Sequence, residues 1–178
     1  MTDIQTSQER ISFLRNLRAV RQFRPDPVPQ EVIDAILEVA RWSGSAINRQ
    51  PWELIVIRKS ETLRALASAE GYTQHLANAP SAIVLVMAGE QATQETYDEG
   101  RLSERIMLAA AAYGLGSCIG WFIDNGVATA KNLLGIPEGR TVRTAISLGY
   151  PDEDALSKRP KSAQARKQIS EIVHWEQY

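Results

Sequence analysis

Cys118 is the sole cysteine in a chain of 178 residues, so no internal disulfide framework can form. The two histidines, His75 and His174, lie far apart in sequence, no zinc-ligand spacing exists, and no intrinsic structural metal is expected. Long apolar runs are also missing: none approaches the ~20 residues needed to cross a bilayer. The opening MTDIQTSQER lacks the apolar core of a signal peptide. A cytoplasmic location and no membrane partner are therefore expected. With 20 basic and 21 acidic residues the formal net charge is -1, so no global field draws the chain to nucleic acid. The aromatic residues are too scattered to form a base-stacking platform. No GxSxG elbow, HExxH, P-loop or local acid pair occurs, which removes the usual hydrolase and nucleotide-triphosphatase signatures.

What is present fits one globular domain over residues 1–178, with 44% apolar residues available for one sizeable core. Thr6 followed by Glu9 has capping-box spacing, and Ile11, Leu14 and Leu17 then recur three apart, predicting a first helix from about Ser7 to Leu17. Prolines 25, 27 and 29 end that pattern. Val32, Ile33, Ile36, Leu37 and Ala40 trace one face of a second helix over 31–42. Leu54–Ile57 reads as a strand, and a helix capped by Ser60 carries Leu63, Leu66 and Ala67. A second strand over 82–88, a polar connection over 89–96 and a long helix from about Asp98 to Tyr113 follow. Strands over 117–122 and 142–148 flank a helix over 125–134, which Gly135 and Pro137 stop. Helices alternating with about four strands are compatible with a parallel or a mixed sheet. The tail ends in Ile172–Val173 before His174 and Trp175, too apolar for a disordered end, and predicts an extended segment that docks.

Among the polar constellations, SAINRQPW at 45–52 is the most informative. It places Ser45, Asn48 and Gln50 in a loop between a helix and a strand, where they suit a polar planar ligand. Arg18 and Arg21 follow the first helix three apart. Surface arginines are usually solvated, yet two guanidiniums beside a proline-rich segment can bind a phosphate bidentately, and Arg166 adds a third. The run Gly114 to Gly120 is not a dinucleotide fingerprint, since its glycines follow a helix and open a strand and its third glycine is one residue late. It reads as a helix stop with a tight turn, or as glycines that admit a ligand ring with Ser117 beside it. Cys118 and His174 read as packed residues, as do alanines 109–112.

Taken in order, RAVRQF at 18–23, SAINRQPW at 45–52, GLGSC at 114–118, LGYP at 148–151 and the terminal IVHWEQY resemble the FMN-dependent nitroreductase family over nearly the whole chain. The resemblance implies an α+β fold with a mixed, largely antiparallel sheet flanked by helices, built as an intertwined homodimer. It makes 163–178 a C-terminal arm on the partner subunit. It implies FMN as cofactor and NADH or NADPH as donor, with a small acceptor such as a nitroaromatic or quinone. Arg18 and Arg166 match phosphate-holding positions, and Ala19 lies in the same cofactor-binding segment. Arg21 matches a residue near the ribityl chain and pyrimidine edge, Ser45 and Asn48 match positions near the flavin's polar groups, and Ser117, Cys118 and Gly120 flank the ring. No side chain is expected to act as a nucleophile.

Four departures accompany the resemblance, one being that GLGSCIG at 114–120 is a residue shorter than the usual form. Leu17 stands where arginine or histidine is frequent, Ala19 where serine is, and Gly44 where proline is. Those at Leu17 and Ala19 remove about two hydrogen bonds of ~1 kcal/mol net each. Two alternatives therefore stay open: a flavin-binding or sensing protein with little turnover, and a specialised relative of the reductive dehalogenase or flavin-destructase type.

Overall fold

The β-branched runs become four strands in the computed structural model, which describes residues 4–158 and 166–178. The elements are α1 (Ile4–Asn16), α2 (Gln30–Arg41), β1 (Trp52–Ile57), α3 (Ser60–Ala67), β2 (Ser81–Met87), α4 (Ala92–Ala112), β3 (Gly116–Trp121), α5 (Asn125–Leu134), β4 (Thr141–Gly149) and α6 (Glu153–Ser157). The strands form one sheet in the order β1-β2-β4-β3. Every neighbouring pair is antiparallel. The parallel option is thus excluded, and among the described residues the one parallel pairing is an isolated bridge between Ala19 and Ser117.

β2 is buried along its whole length because the sheet is covered on both faces, which is why it reads as an unbroken apolar run. One face packs Ile83, Leu85, Ile146 and Leu148 against Ile33 and Ile36 of α2 and Leu102 and Ile106 of α4. The other packs Val84, Ala145 and Phe122 against Leu63 and Leu66 of α3 and Ala130 of α5. Each fully buried Leu or Ile contributes about 1.5–3 kcal/mol of hydrophobic stabilisation. No helix among the described residues is long and apolar enough to cross a membrane.

Four local expectations need correction. α1 starts by Ile4, so Thr6 lies inside the helix and does not open a capping box. Ser60 is the first residue of α3, after Lys59, and its side chain makes no capping bond. α4 starts at Ala92, inside the stretch expected to be a polar connection. There the Glu95 carboxylate accepts from the backbone N–H groups of Gly89 at 2.8 Å, Glu90 at 2.9 Å and Gln91 at 2.9 Å. That carboxylate fixes the turn and starts the helix early. The inward residues of these first turns are Glu95, Asp98 and Glu99, so an apolar period does not appear until Leu102. Finally, the described tail holds a short 3-10 turn at Ile169–Glu171 and no strand, with Ile172 58% and Val173 39% exposed. Residues 163–165 of the expected arm lie outside the described residues. Of the four alanines, Ala109 and Ala110 are buried in the core and Ala112 is exposed.

Candidate functional site

The segment after α1 is extended and crosses the adjoining ends of β3 and β4. Val20 N–H donates to the Ser117 carbonyl at 2.8 Å, Arg24 N–H to that of Tyr150 at 2.9 Å, and Asp152 N–H to that of Gln22 at 3.1 Å. Phe23 and Pro151 form an antiparallel bridge. Gly116 permits this approach: a Cβ on it would sit 2.6 Å from the Cβ and Cγ1 of Val20. Gly116 therefore does a second task within the glycine run, admitting the crossing segment to the edge of the sheet.

This crossing joins residues from both ends of the chain. A cleft of about 630 Å³ is lined by Arg18 and Ala19, by Arg15 and Leu17, by Glu104 of α4 and by Arg166. A second hollow of about 350 Å³ shares Leu17 and Arg18 and continues to Val20, Gly116 and Ser117. Ser117 Oγ is buried and has no hydrogen-bond partner, which is costly unless something else supplies one. Leu17 and Ala19 contribute no polar side chain to this wall.

Arg21 faces elsewhere. It lines a cleft of about 770 Å³ with His75, Asn78, Asp152 and Lys158. His75, which nothing in the local sequence singles out, is buried there. Its Nδ1 lies 2.8 Å from Ser147 Oγ, while Nε2 has no hydrogen-bond partner. Burial, and then the Arg21 charge, push the His75 pKa down, against weaker support from the carbonyls of Ile119 and Tyr72. The ring is therefore neutral at pH 7. Gly120 packs against it: a Cβ there would meet His75 Nε2 at 3.2 Å. Cys118 pairs with Ser147 across the β3–β4 ladder, and its buried Sγ points to the Ile119 carbonyl at 3.4 Å. Cys118 and Gly120 thus belong to the His75 side of the sheet, and the side chain of Ser117 to the other.

The Ser45 loop is held apart from all three clefts. Ile47, Asn48 and Gln50 have φ of 46°, 58° and 49°, a region that L residues seldom occupy. Such strain costs of order 1–3 kcal/mol per residue and concentrates at functional loops. Ser45 Oγ accepts from Gln50 N–H at 2.8 Å, and Gln50 Nε2 donates to the Asn48 carbonyl at 3.3 Å, so the loop is braced internally. Arg49 reaches Gln94 at 3.3 Å and Glu90 at 3.5 Å, which pins the loop to the start of α4. The far end of the Arg101 side chain lies against Gly44 where a Cβ would stand, and this flexible, exposed guanidinium would have to swing aside for a larger residue at position 44. One chain alone therefore brings Arg18, Ala19 and Arg166 together with Ser117 in the adjoining hollow, puts Arg21 with His75 and Gly120 against that ring, and leaves Asn48 exposed and Ser45 half-buried with its Oγ tied to Gln50 N–H.

Comparison with known proteins identifies the family of the chain. A protein of Archaeoglobus fulgidus assigned as an NADH dehydrogenase/NAD(P)H nitroreductase is 34% identical over 154 residues, covering 83% of this chain and 88% of that one. The chain belongs to the nitroreductase family. A model of the Nitroreductase family matches residues 14–84, which include the crossing segment and the Ser45 loop. The NADH dehydrogenase of Thermus thermophilus is 30% identical, covering 89% of this chain and 91% of that one. The FMN-dependent nitroreductase of Clostridium difficile R20291 superposes with a TM-score of 0.83 at 28% identity, covering 94% of this chain and 99% of that one. The nitroreductase fold thus extends well beyond the matched N-terminal half.

Proposed function

We propose that this nitroreductase-family protein is an FMN-dependent oxidoreductase that takes hydride from NADH or NADPH and reduces a small acceptor such as a nitroaromatic or quinone. The observation that carries the reading is the meeting of Arg18 and Arg166, from opposite ends of the chain, in one cleft that runs on to the unpartnered Ser117 hydroxyl. The residues fit the cofactor. Guanidiniums outnumber the single carboxylate, Glu104, as a phosphate requires, and the cleft volume lies in the ~300–1,000 Å³ range of small-molecule sites.

The bound flavin supplies the hydride and electron chemistry. The chain's task is to bind and orient it and to tune its surroundings. Arg18 and Arg166 hold the phosphate end, with the Ala19 backbone beside them. Ser117 offers a hydrogen bond, and the backbone through Cys118 to Gly120 flanks the ring. Arg21 places a fixed cation near the polar edge, favouring negative charge there in a partly dry site. His75 stays neutral and does not add to that charge.

Ser45 and Asn48 complete the site from a second copy of the chain. Two features support a homodimer. α1 buries none of its residues within one chain, leaving Ile4 74% and Ile11 56% exposed. Ile119 and Trp121 on edge strand β3, and Trp175 in the tail, are also exposed. Those surfaces suit a partner, with the C-terminal segment as an arm across it. A single domain in the cytoplasm completes this reading.

The decisive test is the absorbance spectrum of the supernatant after denaturing the purified protein, followed by stopped-flow reduction with each nicotinamide. Released FMN and rapid bleaching by one donor are expected. A colourless protein that remains so after dialysis against FMN would falsify the reading. Leu17 and Ala19 favour a second reading, flavin binding with little turnover, which predicts FMN release but negligible nicotinamide oxidation across acceptors.

A further inference from the structure

We propose that Arg15 is a phosphate-binding residue of this chain, joining Arg18 and Arg166 to supply the cationic grip that position 17 lacks. The proposal rests on the flavin reading and assigns a residue to its phosphate end.

One edge of the Arg18 guanidinium is committed to its own helix, so Arg18 and Arg166 need a third cation beside them. Its Nη1 donates to the carbonyl of Arg15 at 2.6 Å and to that of Leu17 at 2.8 Å. These are carbonyls at the C-terminus of α1, where the helix has no further amide to offer them and where a cation is favoured by the macrodipole. Both hydrogens of Nη1 are thereby used, so Arg18 cannot present that edge of its fork to an anion. Arg15 stands one turn earlier and lines the same cleft as Arg166. Among the described residues no ion pair holds either guanidinium. Leu17 and Ala19, which line the same cleft, offer no side-chain donor. A phosphate monoester carries about 1.5–2 negative charges at pH 7. Three guanidiniums less the Glu104 carboxylate match that charge, and two guanidiniums less Glu104 do not.

Arg15→Ala isolates the guanidinium, since it keeps the carbonyl that Arg18 uses and alters an exposed residue. The assay is titration of apoprotein with FMN and with riboflavin, read by quenching of flavin fluorescence. The ratio of the two affinities reports the phosphate contacts alone. Wild type is expected to prefer FMN, Arg15→Ala to lower FMN affinity at least tenfold with riboflavin binding unchanged, and Arg15→Lys to recover part of the loss. An unchanged FMN-to-riboflavin ratio in Arg15→Ala overturns the assignment and leaves the flavin reading standing. A wild-type protein that binds neither flavin overturns both.

Discussion

Gly116→Ala should detach the crossing segment from the sheet, and the cost can be worked from distances. The new Cβ would lie 2.6 Å from both Cβ and Cγ1 of Val20 and 2.9 Å from Cγ2. Ordinary carbon contacts are ~3.5–4.0 Å, so Val20 must retreat by about 1 Å. Its N–H donates to the Ser117 carbonyl at 2.8 Å, and a retreat of that size breaks this bond and the Ala19–Ser117 bridge. Overpacking costs ~1–3 kcal/mol and one backbone hydrogen bond ~0.5–1.5 kcal/mol, so a loss of about 2–3 kcal/mol is expected. For a chain of this size that lowers Tm by roughly 4–12 °C. The same movement displaces Ala19 and Arg18 from the cleft, so FMN affinity should fall about tenfold or more, ~1.4 kcal/mol or above. Calorimetry of the apoprotein and a fluorescence titration measure the two effects. Adding Val20→Ala should recover only part of either loss, because the Val20 Cβ at 2.6 Å remains. A Gly116→Ala protein with unchanged Tm and unchanged FMN affinity would refute the reasoning.

Glu99 and Glu95 should give opposite pH responses in thermal melts. Burial raises the Glu99 pKa, against the Thr144 hydrogen bond and the Arg143 charge. A raised carboxyl favours the folded state below its ordinary pKa and loses that benefit as pH climbs through the raised value, so Glu99→Gln should melt higher than wild type at pH 8 and lack this dependence. For Glu95, desolvation pushes the pKa up, but the amides of Gln91, Gly89 and Glu90 together outweigh it and the pKa falls. Its stabilisation is present above the ordinary carboxylate range and fades as pH drops through the lowered value. Glu95→Ala should cost about 2 kcal/mol at pH 7, with the difference from wild type shrinking as pH falls below the ordinary carboxylate range. Cys118, 1% exposed, should react with a thiol reagent only after denaturant is added; prompt modification of the native protein would contradict its placement. The proposed homodimer predicts that Ile119→Asp, on the exposed edge strand of the sheet, sediments as a monomer and binds FMN more weakly than wild type.

Where a residue's neighbours in sequence are also its partners in space, the sequence was readable. α5 occupies the expected Asn125–Leu134, and α2 differs by one residue at each end, because Gly135 adopts the left-handed conformation that ends one and Pro29 precedes the other. The strands fall within two residues of their expected bounds, since covered strands must be apolar and β-branched. The start of α4 was hidden because its inner face is carboxylate there, and only the amides of Gly89 to Gln91 make that tolerable. Sheet direction was hidden because helical and extended connections of similar length serve either pairing.

The site divides the same way. Residue types and their order marked the family and proposed Arg18, Ser45, Asn48, Ser117 and Arg166 as site residues, because the flavin reading calls for such groups whatever the scaffold. Their grouping was a tertiary matter. The absent side chain of Gly116 brings Arg18 beside Ser117, strand alternation sends Ser117 and Cys118 to opposite faces, and burial places His75 with Arg21. The sequence by itself determined which chemistry the chain can offer. Only the folded sheet, through sterics at its edge and the two-residue period of its strands, decided which of those groups meet.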